Sequence, residues 1–192
     1  MKKSRSWTGR LNRLRPARVP PRAGNRHVSS YDPSPWHDLG VAAAGSSAAL
    51  AGLVFVAVSI NLDRILAYPW LPDRVAETVV LLLAVLVASL LLLVPGQSRV
   101  ALALEVTAVG AAAWAAVTAV HVRLRHHRAQ TTPLQRRTRI VIGQLASLPA
   151  LIAGASLLLH AGGGLYWLFA GITLSLVAAV FNAWVLLIEV VR

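Results

Sequence analysis

Seven acidic side chains stand against nineteen Lys and Arg in this 192-residue chain, so every carboxylate that could do chemistry can be placed individually. Glu105 interrupts the run Ala101-Leu102-Ala103-Leu104-Glu105-Val106-Thr107-Ala108-Val109. A carboxyl in such surroundings is either the acceptor of a structural hydrogen bond or a proton or cation ligand on a permeation route; both readings stay open. Ser46, Ser47 and Ser89 are the hydroxyls able to share its layer, and Ser89 is the expected neighbour. A second polar group gathers Asn61, Asp63, Arg64, Arg74, Glu77, Gln144, Asn182 and Glu189, with acid and base balanced. It reads either as ion pairing and helix capping or as a site for an ion, a headgroup or a partner's side chain.

Other pairings fail on geometry. Ser156 and His160 share a helix face, but serine chemistry inside a membrane needs nucleophile and base on different helices and an oxyanion hole, and Ser156 is followed by Leu157 where a glycine would be needed. His121, His126 and His127 fit no i, i+4 zinc pair and have no acid nearby in sequence, so they read as part of a solvated basic loop. With no cysteine there is no thiolate metal site, and no phosphate-binding loop, paired aspartates or inverted repeat occurs. The expectation is a non-enzyme with neither metal nor cofactor.

The elements that must position these residues are five apolar runs, near 40–62, 75–94, 99–121, 139–160 and 164–190. Mean hydropathy is +0.62. A hydrocarbon core of about 30 Å needs about 20 apolar residues at about 1.5 Å per residue, and each run meets that length. The breaks are chemically plain: Tyr68-Pro69-Trp70-Leu71-Pro72-Asp73, Pro95-Gly96-Gln97-Ser98 and Gly162-Gly163-Gly164. The fold class predicted is an all-α integral membrane protein, a bundle of about five transmembrane helices over 39–192 behind a disordered basic tail at 1–38. By depth, Ser46, Ser47, Ser89, Glu105, Ser156 and Thr173 fall about six to nine residues in from one face, and the Asn61 to Glu189 group lies at the other. Small residues recur every fourth position at Gly40, Ala44, Ala48 and Gly52, at Ala103, Thr107, Ala111, Ala115 and Ala119, and at Gly171, Ser175, Ala179 and Ala183. Those three spans are expected to pack at the centre, with the Leu- and Val-rich second span facing lipid.

Positive charge is local. Lys2, Lys3, Arg5, Arg10, Arg13, Arg15, Arg18, Arg22 and Arg26 crowd a Pro-rich tail that has too little apolar surface to fold alone. Trp7, Leu11 and Leu14 form the one apolar stripe there, suited to an anionic lipid surface. A start codon set upstream of the true one is the other reading of the tail, while nucleic-acid binding has no supporting motif. Near the spans, Arg22, Arg26 and Arg99 lie on the tail's face, against Arg64, Arg74, Arg123, Arg125, Arg128, Arg136, Arg137, Arg139 and Arg192 opposite. The positive-inside rule then favours a cytoplasmic C-terminus.

Four segments carry a family resemblance: residues 43–62 (AAGSSAALAGLVFVAVSINL), the turn Leu93-Val94-Pro95-Gly96-Gln97, Gly164-Leu165-Tyr166-Trp167, and Asn182-Ala183-Trp184-Val185-Leu186-Leu187-Ile188-Glu189. Across residues 36–192 the chain resembles small bacterial multi-span proteins, some labelled modulators of the FtsH-type membrane protease. The resemblance implies an inner-membrane protein without known catalytic residues. The function expected is non-enzymatic, through helix contacts in the lipid bilayer with itself as a homo-oligomer or with another membrane protein; the alternative is a channel or ion-coupled transporter using Glu105.

Overall fold

The computed structural model describes residues 30–124 and 133–191. Most of the basic tail and the loop carrying Arg125, His126, His127 and Arg128 therefore lie outside the described residues. A 3-10 turn at Ser34–Trp36 leads into α1 (His37–Ile60), followed by the short α2 (Leu62–Ala67), α3 (Leu71–Leu92), α4 (Arg99–Leu124), α5 (Pro133–Leu159) and α6 (Leu165–Val191), with no strand among the described residues. The Asp32 carboxylate accepts a hydrogen bond from the Ser34 amide, 3.0 Å, and that bond holds its pKa below the usual carboxylate range. All helices except α2 are long and apolar enough to cross a membrane.

Helix ends follow local chemistry. Pro72 sits in the first turn of α3, where its missing N–H costs nothing, so this helix starts ahead of the expected residue 75. Pro133 opens α5 in the same way, ahead of the expected residue 139. Ser98 Oγ accepts from the Ala101 amide at 3.2 Å and caps α4. Gly96, Gly162, Gly163 and Gly164 take positive φ in the two tight turns at one end of the bundle.

Helices α3, α4, α5 and α6 form a square in which each packs on its two neighbours, and α1 lies outside against α3 and, less extensively, α6. This differs from the expected arrangement. The second span is central: α3 buries Leu71, Leu81, Leu82, Val85, Ala88 and Leu92, whereas α1 buries only Gly40, Ala43, Ser47 and Val54. The stripe on α6 does pack, through Gly171 against Pro149 and Ala150, Ser175 Oγ donating to the Ala146 carbonyl at 3.0 Å, and buried Ala179. On α4 it does not: Ala103 is buried, but Ala111, Ala115 and Ala119 are exposed. A four-residue step overshoots a helix turn by about 40°, so four steps rotate the stripe about 160° around the helix.

What α4 buries instead is Ala103, Val106, Gly110, Ala113, Val117 and Val120, spaced three and four apart. Gly143, Ala146, Ala150 and Ala153 answer on α5 with the same spacing, Ala150 being half-buried. The backbones come very close along this seam. A Cβ on Gly110 would stand 2.9 Å from the Leu151 nitrogen, and one on Gly154 would meet Thr107 and, at 3.0 Å, the Ala103 carbonyl oxygen.

Candidate functional site

At the end of the seam formed by the last turn of α4 and the first turns of α5, three helices each contribute one ionisable side chain. Glu77, one and a half turns into α3, is 2 % exposed. Its Oε1 lies 3.2 Å from His121 Nε2 of α4, and its Oε2 accepts from Arg139 Nε of α5 at 2.9 Å, with Nη2 at 2.8 Å. His121 is 6 % exposed. It belongs to no solvated loop, because α4 continues to Leu124 and carries His121 inward one turn beyond Val117. Gly143 closes the remaining side: a Cβ there would stand 2.7 Å from His121 Cε1 and 2.8 Å from Glu77 Oε1. About one turn deeper along α5, Gln144 Oε1 accepts from Trp114 Nε1 at 2.7 Å, while its Nε2 donates to Thr118 Oγ1 at 3.3 Å.

The structure thus divides the expected Asn61 to Glu189 cluster. Asn61, just past the end of α1, donates through Nδ2 to the carbonyl of Ala57 in that helix at 2.9 Å. Asp63 and Arg64 are exposed, and the Arg74 guanidinium sits 5.7 Å from the Trp70 ring centroid. Asn182 is buried on α6, and the side chain of Glu189 lies outside the described ones. Of those whose side chains are described, only Glu77 enters the buried ionic cluster, and its partners His121 and Arg139 were not among the eight. One signal could have found Arg139, which stands four residues before Gly143 and so continues the three-and-four spacing of the α5 seam; His121 instead directly follows Val120, the last seam residue of α4.

The expected layer around Glu105 does not form as one layer. Glu105 is half-buried and accepts from the Gln97 side-chain amide in the preceding turn; Ser89, its expected neighbour, is buried with its Oγ unpartnered. Ser47 Oγ donates to the Leu82 carbonyl at 2.5 Å, which puts it beside a residue seven positions, or about 10 Å, along α3 from Ser89. Ser46 is exposed and bonds the Ala42 carbonyl at 2.8 Å. Ser156 shapes the α5–α6 turn: its Oγ donates to the Ala161 carbonyl and accepts from the Gly164 amide at 2.8 Å. The incoming chain is fastened there too, where the Leu165 amide donates to the Ser30 carbonyl at 2.8 Å.

Between the four square helices lies a cavity of about 20 Å³, lined by side chains such as Leu81, Val85, Ala113, Leu168 and Ile172, with Ser147 and Ser175 at its wall. That is room for about one water molecule. Both serine hydroxyls donate to backbone carbonyls, those of Gly143 and Ala146. The chain matches no protein-family model, no curated protein and no solved structure.

Proposed function

We propose that this chain is a non-enzymatic multi-span protein of the bacterial inner membrane that acts through lateral helix contacts, with itself or with other membrane proteins. One observation carries the reading: two faces of small residues are left open. On α1, Gly45, Ala48, Ala49 and Gly52 are exposed, and a Cβ on Gly45 or Gly52 would meet nothing within 4 Å. On α4, Ala108, Ala111, Ala112, Ala115 and Ala119 are exposed. In lipid such faces let helix backbones approach closely enough for van der Waals packing to drive association. The seam between α4 and α5 shows this chain using small residues that way internally.

The rest of the surface suits a bilayer. Leu53, Phe55 and Ile60 are 67, 73 and 77 % exposed, more apolar surface in one helix than water tolerates without a covering. A cytoplasmic C-terminus follows from the Arg-rich side of the bundle. The resemblance to modulators of the FtsH-type protease makes a membrane protease one candidate partner. Glu105, tied to Gln97 and absent from the lining of the central cavity, fits a structural hydrogen bond better than a place on a permeation route.

The chain has no native cysteine, so single cysteines report proximity cleanly. With Ala48→Cys and Ala115→Cys on the open faces, and Val87→Cys and Val177→Cys as exposed controls off them, oxidation in native membranes should crosslink the first pair to a second copy or to one recurring partner. Monomer alone at both test positions, or equal crosslinking at all four, contradicts the reading.

A further inference from the structure

His121 takes no part in the function just proposed. Its Nε2 faces Glu77, and its Nδ1 is buried without a hydrogen-bond partner. An ionised carboxylate only accepts, so Nε2 carries the hydrogen and Nδ1 of the neutral ring is an empty acceptor. The charged and titratable groups of the packed helices are Glu77 and, one turn before it against Trp70, Arg74 from α3, and Arg139 from α5, while Arg123 on α4 itself is exposed and the side chain of Glu189 on α6 is outside the described ones. Within this trio of Glu77, His121 and Arg139, Glu77 and Arg139 cancel while the ring is neutral, and with the ring charged two cations contact the one carboxylate. Helices α3 and α5 are diagonal in the square, so the Glu77–Arg139 pair is a direct tie between them.

We propose that the Glu77, His121 and Arg139 cluster is a proton-binding site, in which His121 takes one proton from water at Nδ1 and thereby weakens the hold of Glu77 on Arg139. The tie that fastens the start of α5 to α3 loosens when the proton is bound. The new Nδ1–H has no acceptor among the described residues, so the charged ring also draws water into that end of the bundle.

The test is a pH titration of the full chain in lipid nanodiscs, with ¹⁵N-labelled histidine and the His121 signals assigned by their loss in His121→Gln. Nδ1 should gain a proton in one step within a scan from about pH 4.5 to about pH 9. Amide hydrogen exchange over residues 137–145 should rise severalfold on protonation in the native chain and stay flat in His121→Gln. Glu77→Gln removes the carboxylate that His121 and Arg139 both contact, so the change in exchange that accompanies protonation should be lost in it. A ring that keeps one protonation state across the scan overturns the proposal, as does an exchange change that persists in His121→Gln or in Glu77→Gln. The titration of the native chain decides the first point even where a variant fails to fold.

Discussion

Replacing Gly143 by alanine adds one methyl group where the packing leaves no room. The new Cβ would stand 2.7 Å from His121 Cε1, 2.8 Å from Glu77 Oε1 and 3.1 Å from Val117 Cγ1, against ordinary carbon contacts of about 3.5–4.0 Å. Either α5 backs away from α4, or the imidazole and carboxylate shift. The first is overpacking, at about 1–3 kcal/mol. The second leaves a buried polar group poorly bonded, at a similar cost of about 1–3 kcal/mol. With part of each incurred, and about 1 kcal/mol returned by alanine's better helix propensity, the net destabilisation is about 2 kcal/mol. Gly45→Ala is the control, because nothing lies within 4 Å of its Cβ; it should be neutral or stabilising by up to about 1 kcal/mol. The assay is reversible unfolding in mixed micelles of increasing SDS fraction, followed by circular dichroism. A His121→Ala background empties the space that the methyl needs, so the Gly143→Ala penalty should shrink there by about 1 kcal/mol. Equal midpoints for Gly143→Ala and Gly45→Ala, or a penalty unchanged by His121→Ala, would refute this account of the cluster.

Ser156→Ala removes at once the donor to the Ala161 carbonyl and the acceptor for the Gly164 amide. It should cost about 1–3 kcal/mol in the same unfolding assay and speed hydrogen exchange at the Gly164 amide; unchanged exchange there would show that the hydroxyl does not hold the turn. Glu105→Gln keeps a side-chain carbonyl oxygen able to accept from Gln97, so stability should change by less than about 1 kcal/mol. Ion flux through proteoliposomes should match that of the native chain, and a flux altered by this one substitution would revive the transport reading.

The five helices long and apolar enough to span a membrane were legible because length and apolarity dominate each run, and the prolines and glycines at 69–72, 95–96 and 162–164 mark the turns whatever the packing is. Which helix takes the centre was not legible from composition. Leu and Val on α3 suit lipid and a protein core equally, and with no hydrophobic drive between helices in a bilayer their apolarity does not sort the two. Helix α1 shows the converse, since Gly40, Ala44, Ala48 and Gly52 read as a packing stripe, yet of the four only Gly40 is buried and a Cβ on Gly52 would meet nothing within 4 Å. Distance along the chain hid the ionic cluster as well. Glu77 is 44 residues from His121 and 62 from Arg139, so no local window holds it with either partner.

The spacing of the seam explains why the cluster sits where it does. A three-and-four repeat averages 3.5 residues, close to the 3.6 of a helix turn, and therefore stays on one face over the whole length of α4 and α5. Along that face the interface residues are alanine, glycine and valine from Ala103 to Val117 and from Gly143 to Ala153, which brings the two backbones to their closest approach. One step of four before Gly143 the register reaches Arg139, and directly after Val120, the last seam residue of α4, stands His121, so long polar side chains follow the small apolar ones at that end. Two helices this close leave no room for both groups beside the seam, so they turn toward α3, and there Glu77 is the carboxylate that receives them. The small-residue contact and the buried ionic cluster are thus one construction: loosening the seam at Gly143 and changing the charge of His121 act on the same joint.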